Sequence, residues 1–153
     1  MSLPPPSPDR TCLVTGASSG IGVEIARLLA DRGHGLTLVA RREDRLRGLA
    51  DRLAEDHGIR AEVLATDLTD DRARADLVPA LEALRLKVDV LVNNAGFSTT
   101  GRIQEADGHA EVAMVRLNVE AVAHLCALFV PGMAERGRGA VLNVASTAAF
   151  QPI

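Results

Sequence analysis

A segment rich in glycine and hydroxyl side chains, TGASSGIG at positions 15–22, is the first part of this sequence whose residue types could do chemistry. It joins a short apolar run to a segment of helical period, so its N–H groups lie at a predicted helix N-terminus, which attracts anions. Gly16 can make the sharp turn, Gly20 can let a pyrophosphate approach the backbone, and Gly22 can let helix and strand pack closely. The predicted phosphate-binding residues are Gly16, Ser18, Ser19, Gly20, Ile21 and Gly22. The spacing differs from G-x-G-x-x-G, and a glycine-rich turn by itself can be no more than a turn.

Two arginines follow the second apolar run, because Arg41 and Arg42 come directly after Ala40. In a dinucleotide site an acidic residue about 20 positions past the glycines holds a 2′-hydroxyl, whereas Arg holds a 2′-phosphate and that acid repels it. No carboxylate stands at this strand end, so the pattern favours NADP over NAD. The alternative is that both arginines belong to the solvated start of a helix, where the positive end of the helix dipole disfavours them.

Further polar residues follow the later strands or lie in a helical stretch. Asp67 follows the third apolar run, Asn93 and Asn94 end the fourth, Asn118 lies in a long helical segment and Ser146 ends the fifth. Taken singly, each has a structural explanation: a helix cap, a turn, an interhelical hydrogen bond or a loop hydroxyl. The order and spacing of these residues, and not any one of them, indicate a function.

Taken together, these segments resemble the short-chain dehydrogenase/reductase family. Thr-Gly-x-x-x-Gly-Ile-Gly is the family pattern at positions 15–22, and Asn93-Asn94-Ala95-Gly96 matches the family's Asn-Asn-Ala-Gly element. The resemblance covers residues 11–153. It implies cofactor contacts for Asp67, Leu68, Asn94, Ala95 and Gly96, and active-site roles for Asn118 and Ser146.

The resemblance implies an NADP-dependent oxidoreductase that transfers a hydride between the nicotinamide and a small-molecule carbonyl or secondary alcohol. In this family the proton comes from a tyrosine shortly after the serine, with a lysine four positions beyond it. The sequence contains no Tyr, and its only Lys is Lys87, at the start of the fourth strand. A positioned acid typically contributes about 10²- to 10⁴-fold in rate, so we expect these 153 residues alone, truncated before that tyrosine and lysine, to be inactive.

Two other hypotheses stay open at this point. A noncatalytic module that binds NADPH, as a sensor or as the partner of a full-length relative, would keep the nucleotide site without the acid. An unstable remnant with no role would bind nothing. Titration followed by the fluorescence of NADPH separates them, because the chain has no Trp or Tyr. Phe97, Ser98 and Thr99 are expected to border the pocket, but three loop residues do not name a substrate.

Five short apolar runs predict the strands that position these residues, at 11–15, 36–40, 61–65, 88–93 and 140–146. They alternate with segments of helical period, which indicates β-α repeats and a parallel sheet covered on both faces. The predicted fold class is α/β, a Rossmann-type doubly wound sheet that ends here after its fifth strand. The Pro-rich residues 1–10 are predicted to be a flexible tail, and residues 11–153 a single NADP-binding domain.

Four helical segments connect these strands. The first presents Ile21, Ile25, Leu28 and Leu29 on one face and ends at Gly33, and the second presents Leu46, Leu49, Ala50 and Leu53 and ends at Gly58. The third, at 70–86, is interrupted by Pro79. The fourth, at 107–136, is most apolar along 119–130 and is predicted to be buried on more than one side.

Composition and charge exclude several classes of partner. A net charge of −3, 47% hydrophobic residues and 24% charged residues fit one soluble domain without the basic field that nucleic acid needs. No uninterrupted apolar run reaches the roughly 18 residues of a membrane span and no signal peptide is recognisable, so a cytoplasmic location is expected. Cys12 and Cys126 lack metal-ligand spacing and are expected to be buried in a reducing compartment.

The fifth strand is expected to be an exposed apolar edge of the sheet, because no further strand follows it in these residues. Such edges pair with other chains. In the family the long fourth helix also commonly packs across a subunit interface. From the exposed edge alone we expect the isolated chain to self-associate or aggregate, and a monodisperse monomer in light scattering at high concentration would contradict this.

Overall fold

Five parallel strands form one sheet in the computed structural model, which describes residues 3–150. The strands are β1 (Arg10–Thr15), β2 (Leu36–Ala40), β3 (Ala61–Ala65), β4 (Lys87–Asn93) and β5 (Ala140–Asn143). They lie in the order β3-β2-β1-β4-β5, so successive strands are added on one side of β1 and then on the other. The predicted doubly wound α/β fold is confirmed. Residues 1–2 of the predicted tail and 151–153 of the predicted domain lie outside the described residues.

Helices cover both faces of this sheet. They are α1 (Ile21–Asp31), α2 (Glu43–His57), α3 (Asp71–Ala75), α4 (Leu77–Ala83), α5 (Gly108–Val115) and α6 (Ala121–Glu135). Successive strand residues point to opposite faces, so Val14 joins the cluster under α1 and α2, while Leu13 joins the cluster under α4 and α6. Burial on both faces explains why the inner strands β1, β2 and β4 are nearly continuous apolar runs.

The strand ends differ slightly from the prediction. β1 and β4 begin one residue earlier than expected, and β1 therefore includes Arg10 of the predicted tail. β5 ends at Asn143 instead of position 146, because β4 itself ends at Asn93 and its last carbonyl accepts from Val144 N at 2.9 Å. The β5 side chains Val141 and Leu142 are 40% and 47% exposed, as expected for an apolar edge. Self-association through this edge stays a prediction.

The tail and the first helix show two further features. The Pro5 carbonyl accepts a hydrogen bond from Arg138, while the flexibility of the tail stays a prediction. The predicted apolar face of α1 was wrong in part, since Ile21 and Leu28 are more than half exposed. The face that packs on the sheet consists of Gly22, Ala26, Leu29 and Ala30. Small residues lie there because the helix backbone closely approaches the loop that follows β1.

Glycine and proline end or divide the helices where the sequence predicted. Gly33 and Gly58 follow α1 and α2 with φ of 78° and 64°, the left-handed conformation that glycine adopts most easily. The third predicted helix is split into α3 and α4, with Asp76 between them. Pro79 has no N–H to bond the carbonyl four residues earlier, so it lies in the first turn of α4, where helix N–H groups lack intrahelical partners.

The fourth predicted helix runs unbroken from Gly108 to Glu135 as α5, a π turn (Arg116–Glu120) and α6. The prediction that it is buried on more than one side was wrong. Its core contacts come from one face of α6, formed by Ala121, Leu125, Phe129 and Met133. Val112, Val115 and Val119 are each more than half exposed, because no described element covers that side.

This 28-residue helix is also long and apolar enough to cross a membrane by length and composition. Leu125 and Phe129 pack in the cluster on the sheet, although only 17% of the most apolar stretch of this helix is buried. Length and composition alone are therefore weak evidence for a membrane span.

The two cysteines differ in burial. Cys12 is 1% exposed in β1, where burial and, secondarily, the Asp89 charge raise the pKa of its thiol to about 12. It is therefore a protonated core residue at neutral pH, as expected. Cys126 is only partly buried, with its Sγ 3.5 Å from Asn93 Nδ2.

Candidate functional site

A cavity of about 480 Å³ opens at the carboxyl ends of β1 to β4, beside the N-terminus of α1. Of the predicted cofactor-binding residues, those that line it are Gly16, Ser18, Ser19, Gly20, Ile21, Arg41, Arg42, Asp67, Leu68, Asn94, Ala95 and Gly96. Lining residues that the sequence analysis did not select are Ala40, Thr66, Thr69 and Leu117. The cavity lies where the strand order changes direction, between β1 and β4. Doubly wound sheets bind their ligands at such a switch point.

The glycines of the loop after β1 do three different things. Gly16 and Gly20 have φ of 68° and 59°, so the turn needs residues that tolerate the left-handed region. A Cβ on Gly20 would meet no atom within 4 Å, which leaves its backbone open to a ligand. A Cβ on Gly22 would lie 2.5 Å from the Gly16 carbonyl oxygen, so Gly22 supports the loop from beneath and does not line the cavity.

Thr15, which the sequence analysis did not select, joins this loop to the segment after β4. Its buried hydroxyl donates to the Val92 carbonyl at 3.0 Å and accepts from Asn94 N at 2.9 Å and Ala95 N at 3.0 Å. The Asn94 side chain donates back to the Thr15 carbonyl at 2.9 Å. These bonds hold the two walls of the cavity together, and the position of Thr15 at a strand end next to glycine was the signal that could have identified it.

Replacing Thr15 by valine should therefore lower the free energy of unfolding by about 2 kcal/mol, because two partly buried N–H groups lose their acceptor. Urea unfolding measures the change. Thr15→Ser is the matched control, since it keeps the hydroxyl and removes only a methyl group. Equal losses in the two variants would show that packing, and not the hydrogen bonds, gives Thr15 its effect.

Arg42 lies at the edge of the loop after β1. Its Nε and Nη2 lie 3.2 and 2.9 Å from Ser18 Oγ, and Nη2 also lies 2.8 Å from Ser19 Oγ. α2 begins at Glu43, so both arginines precede the helix. Serine hydroxyls can rotate and accept other partners, which leaves the guanidinium able to contact an anion in the cavity.

Asp67 contributes a carboxylate to the cavity from the segment that follows β3. Burial raises the pKa of Asp67, but hydrogen bonds from Thr69 N at 3.0 Å and Thr69 Oγ1 at 2.8 Å, with the charge of Arg41, outweigh it. The pKa of Asp67 therefore lies below its ordinary value and the group is ionised at neutral pH. It does not cap a helix, because the N-cap of α3 is Asp70.

Asn118 lies in the π turn and holds the loop that follows β4. Its Oδ1 accepts from Phe97 N at 3.2 Å, and its Nδ2 donates to the Phe97 carbonyl at 2.8 Å. A Cβ on Gly96 would lie 3.0 Å from Asn118 Oδ1, so this approach is close. The asparagine therefore links helix to loop instead of helix to helix, and π turns frequently occur at functional sites.

The remaining predicted positions lie partly inside and partly outside the cavity lining. Ser146 follows the end of β5 and is exposed. Of the three predicted pocket-border residues, Phe97 lines the cavity and Thr99 instead approaches Met114 Sδ at 3.8 Å. Lys87 is the first residue of β4 and lies at the opposite end of that strand from Asn93. A role for Lys87 in the cavity is excluded by this geometry.

The fold and the cavity together define a dinucleotide-binding domain of the Rossmann type, and comparison with known proteins identifies its family. Residues 10–153 match the short chain dehydrogenase family. An uncharacterised oxidoreductase of Staphylococcus saprophyticus is 33% identical over 143 residues, which are 94% of this chain and 61% of that protein. The chain belongs to the short-chain dehydrogenase/reductase family of oxidoreductases.

Solved structures agree with this assignment. A short-chain dehydrogenase of Sphingobium yanoikuyae in complex with NADPH is 38% identical with a TM-score of 0.85, over 94% of this chain and 56% of that one. L-Sorbose reductase of Gluconobacter frateurii, complexed with NADPH and L-sorbose, is 36% identical with a TM-score of 0.88, over 97% and 56%. The chain thus spans little more than half the length of these enzymes.

Proposed function

We propose that this chain binds NADP(H) in the cavity, and that the whole protein transfers a hydride between the nicotinamide and a carbonyl or secondary alcohol of a small molecule. The observation that supports NADP over NAD is Arg42, whose guanidinium lies on Ser18 and Ser19 at the edge of the glycine loop. Arg41 lines the same cavity. Among the described lining residues Asp67 is the one carboxylate, and it follows β3 and not β2.

The cavity also fits the remainder of such a cofactor. The open backbone at Gly20 and the N-terminus of α1 suit a pyrophosphate. Asp67 and Leu68 would contact the adenine side of the cofactor. The segment Asn94-Ala95-Gly96, which Thr15 holds in place, would also contact the cofactor. When bound, NADPH supplies the hydride, and the residues of this chain bind and orient it.

The roles of the two polar residues near the reaction centre are part of the proposal. Asn118 would anchor a proton relay and keeps the loop at Phe97 in place. Ser146 would orient the substrate carbonyl. Support for the cofactor comes from the NADPH found in the two solved relatives, and the L-sorbose of one of them supports a small carbonyl or hydroxyl compound as the substrate.

Titration of the chain with NADPH and with NADH tests this proposal directly. The chain has no Trp or Tyr, so the emission of the reduced nicotinamide is observed against a low protein background. We expect saturable binding of NADPH about 100-fold tighter than that of NADH, the effect expected of charge-assisted hydrogen bonds between a guanidinium and the 2′-phosphate. Equal affinities would contradict the preference for NADP, and no binding of either would contradict the proposed site.

A further inference from the structure

Arg74 is a fully buried cation close to the cavity but not part of its lining. It lies on α3, and its side chain is 1% exposed. A buried guanidinium is costly unless its donors are paired, and breaking its pairing removes a specific geometry as well as energy. The partners of Arg74 therefore show which parts of the protein it fixes in place.

The first partner belongs to one wall of the cavity. Arg74 Nη1 donates to the Leu68 carbonyl at 2.6 Å. Leu68 lies with Thr66, Asp67 and Thr69 in the segment after β3, here called the Asp67 loop, and all four residues line the cavity. One end of the guanidinium thus holds the backbone of that wall.

The other partners belong to the long helix. Arg74 Nη2 donates to Glu120 Oε1, and Nε donates to His124 Nδ1 at 3.1 Å. Glu120 is the last residue of the π turn that carries Asn118, and Asn118 holds the backbone of Phe97 in the cavity. A single side chain therefore joins the Asp67 loop to the helix that supports the opposite wall.

Stability alone does not account for this arrangement. The Glu120 side chain is 51% exposed, so the acidic partner of this ion pair remains accessible to water. Replacing a buried ion pair by apolar residues of similar volume is often neutral or stabilising. What an apolar residue would not provide at position 74 is three donors of fixed direction, one toward the loop and two toward the helix.

We propose that Arg74 is a positioning residue that fixes the Asp67 loop and the π turn relative to one another, so that the adenine wall and Asn118 are held in one geometry. This inference rests on the proposed binding of NADP(H). It adds that the affinity for the adenine half of the cofactor and the conformation of the Asn118 turn depend on the same side chain.

The ligand test compares Arg74→Met with the wild-type chain and with Arg72→Met, a matched control at an exposed arginine of the same helix. The probes are NADPH and adenosine 2′,5′-bisphosphate, which carries only the adenine half. We expect Arg74→Met to raise both dissociation constants about tenfold, the equivalent of one ordinary hydrogen bond, and Arg72→Met to leave both unchanged. Unchanged constants for folded Arg74→Met would overturn the inference, whatever its melting temperature, because a purely structural role lowers stability without changing the affinity of the folded state.

Amide hydrogen exchange tests the coupling without any ligand. In Arg74→Met we expect faster exchange at positions 66–69 and at 116–120 together, relative to both wild type and Arg72→Met. Acceleration in only one segment, or in neither, would overturn the inference. If the wild type binds no NADPH, the proposed function fails, while this exchange result still decides the role of Arg74.

A conservative variant covers the case in which Arg74→Met does not fold. Arg74→Lys keeps the charge but replaces the planar fork by a single ammonium group. It should retain binding with an affinity between those of wild type and Arg74→Met, and should loosen both segments to a smaller extent. A lysine variant identical to wild type in both measurements would show that charge alone suffices, which contradicts positioning by the fork.

Discussion

Replacing Arg42 by methionine should raise the dissociation constant of NADPH about 100-fold and leave that of NADH within about threefold. The physical reason is that a 2′-phosphate can take charge-assisted hydrogen bonds from the guanidinium, whereas the 2′-hydroxyl of NADH carries no charge. The side chain already lies on Ser18 and Ser19, so little rotamer entropy would be lost on binding. Cofactor fluorescence with each nucleotide measures both constants.

The matched control for this prediction is Arg45→Met. Arg45 is exposed on α2, three residues from Arg42, and does not line the cavity, so its removal changes the net charge equally without touching the proposed phosphate site. We expect less than a twofold change for either cofactor, since an exposed charge that does not touch the ligand acts through water and contributes little. If Arg42→Met weakened NADPH and NADH equally, Arg42 would support the loop through its serine contacts and would not select the cofactor.

The sheet could be predicted well from sequence because its inner strands β1, β2 and β4 are buried on both faces. Each strand is a short run of apolar residues with helical segments between, and tertiary contacts enforce the same pattern. The packing face of α1 could not be predicted in the same way, since helical period alone favoured the large residues Ile21 and Leu28. Both are exposed, because the face toward the sheet carries Gly22 and Ala26, and at Gly22 the close contact with the loop after β1 leaves no room for a side chain.

The predicted burial of the long helix was wrong for a related reason. The apolar residues of this helix indicate that its surface can pack against another element, but they do not show which element does so. No described element covers Val115 and Val119, which remain exposed. β5 ends early because its partner β4 ends, and the length of a neighbouring strand is not encoded in the residues of β5 itself.

In the candidate site, too, local sequence patterns could be predicted, whereas contacts between distant segments could not. The glycine loop and the two arginines are local patterns, and the structure brings them to one cavity. The contact of Thr15 with Asn94 and Ala95 spans about 80 positions and depends on the strand order, so it could not be read from either segment. Arg74 lies in a segment, 70–76, that consists of acids, arginines and alanines, a composition typical of a solvated helix, yet it is fully buried.

Gly22→Ala should disrupt both folding and cofactor binding. The added Cβ would lie 2.5 Å from the Gly16 carbonyl oxygen and 2.6 Å from Asn94 Nδ2, and the first of these atoms is backbone that can move only with the loop. We expect the free energy of unfolding to fall by about 3 kcal/mol, as for overpacking of a tight contact. Any folded protein should bind NADPH about 100-fold more weakly or not at all, because the N–H groups of the glycine loop would be displaced from the anion.

Gly48→Ala is the control that separates this steric effect from the general effect of adding a methyl group to a helix. Gly48 lies inside α2, and its added Cβ would meet no atom within 4 Å. Alanine has the higher helix propensity, so Gly48→Ala should raise the free energy of unfolding by about 0.5–1 kcal/mol. NADPH affinity should not change in that variant. In urea unfolding the two substitutions are therefore expected to change the free energy of unfolding in opposite directions. A Gly22→Ala protein with wild-type stability and normal NADPH affinity would contradict the prediction, because it would show that α1 does not need its close approach to the loop after β1.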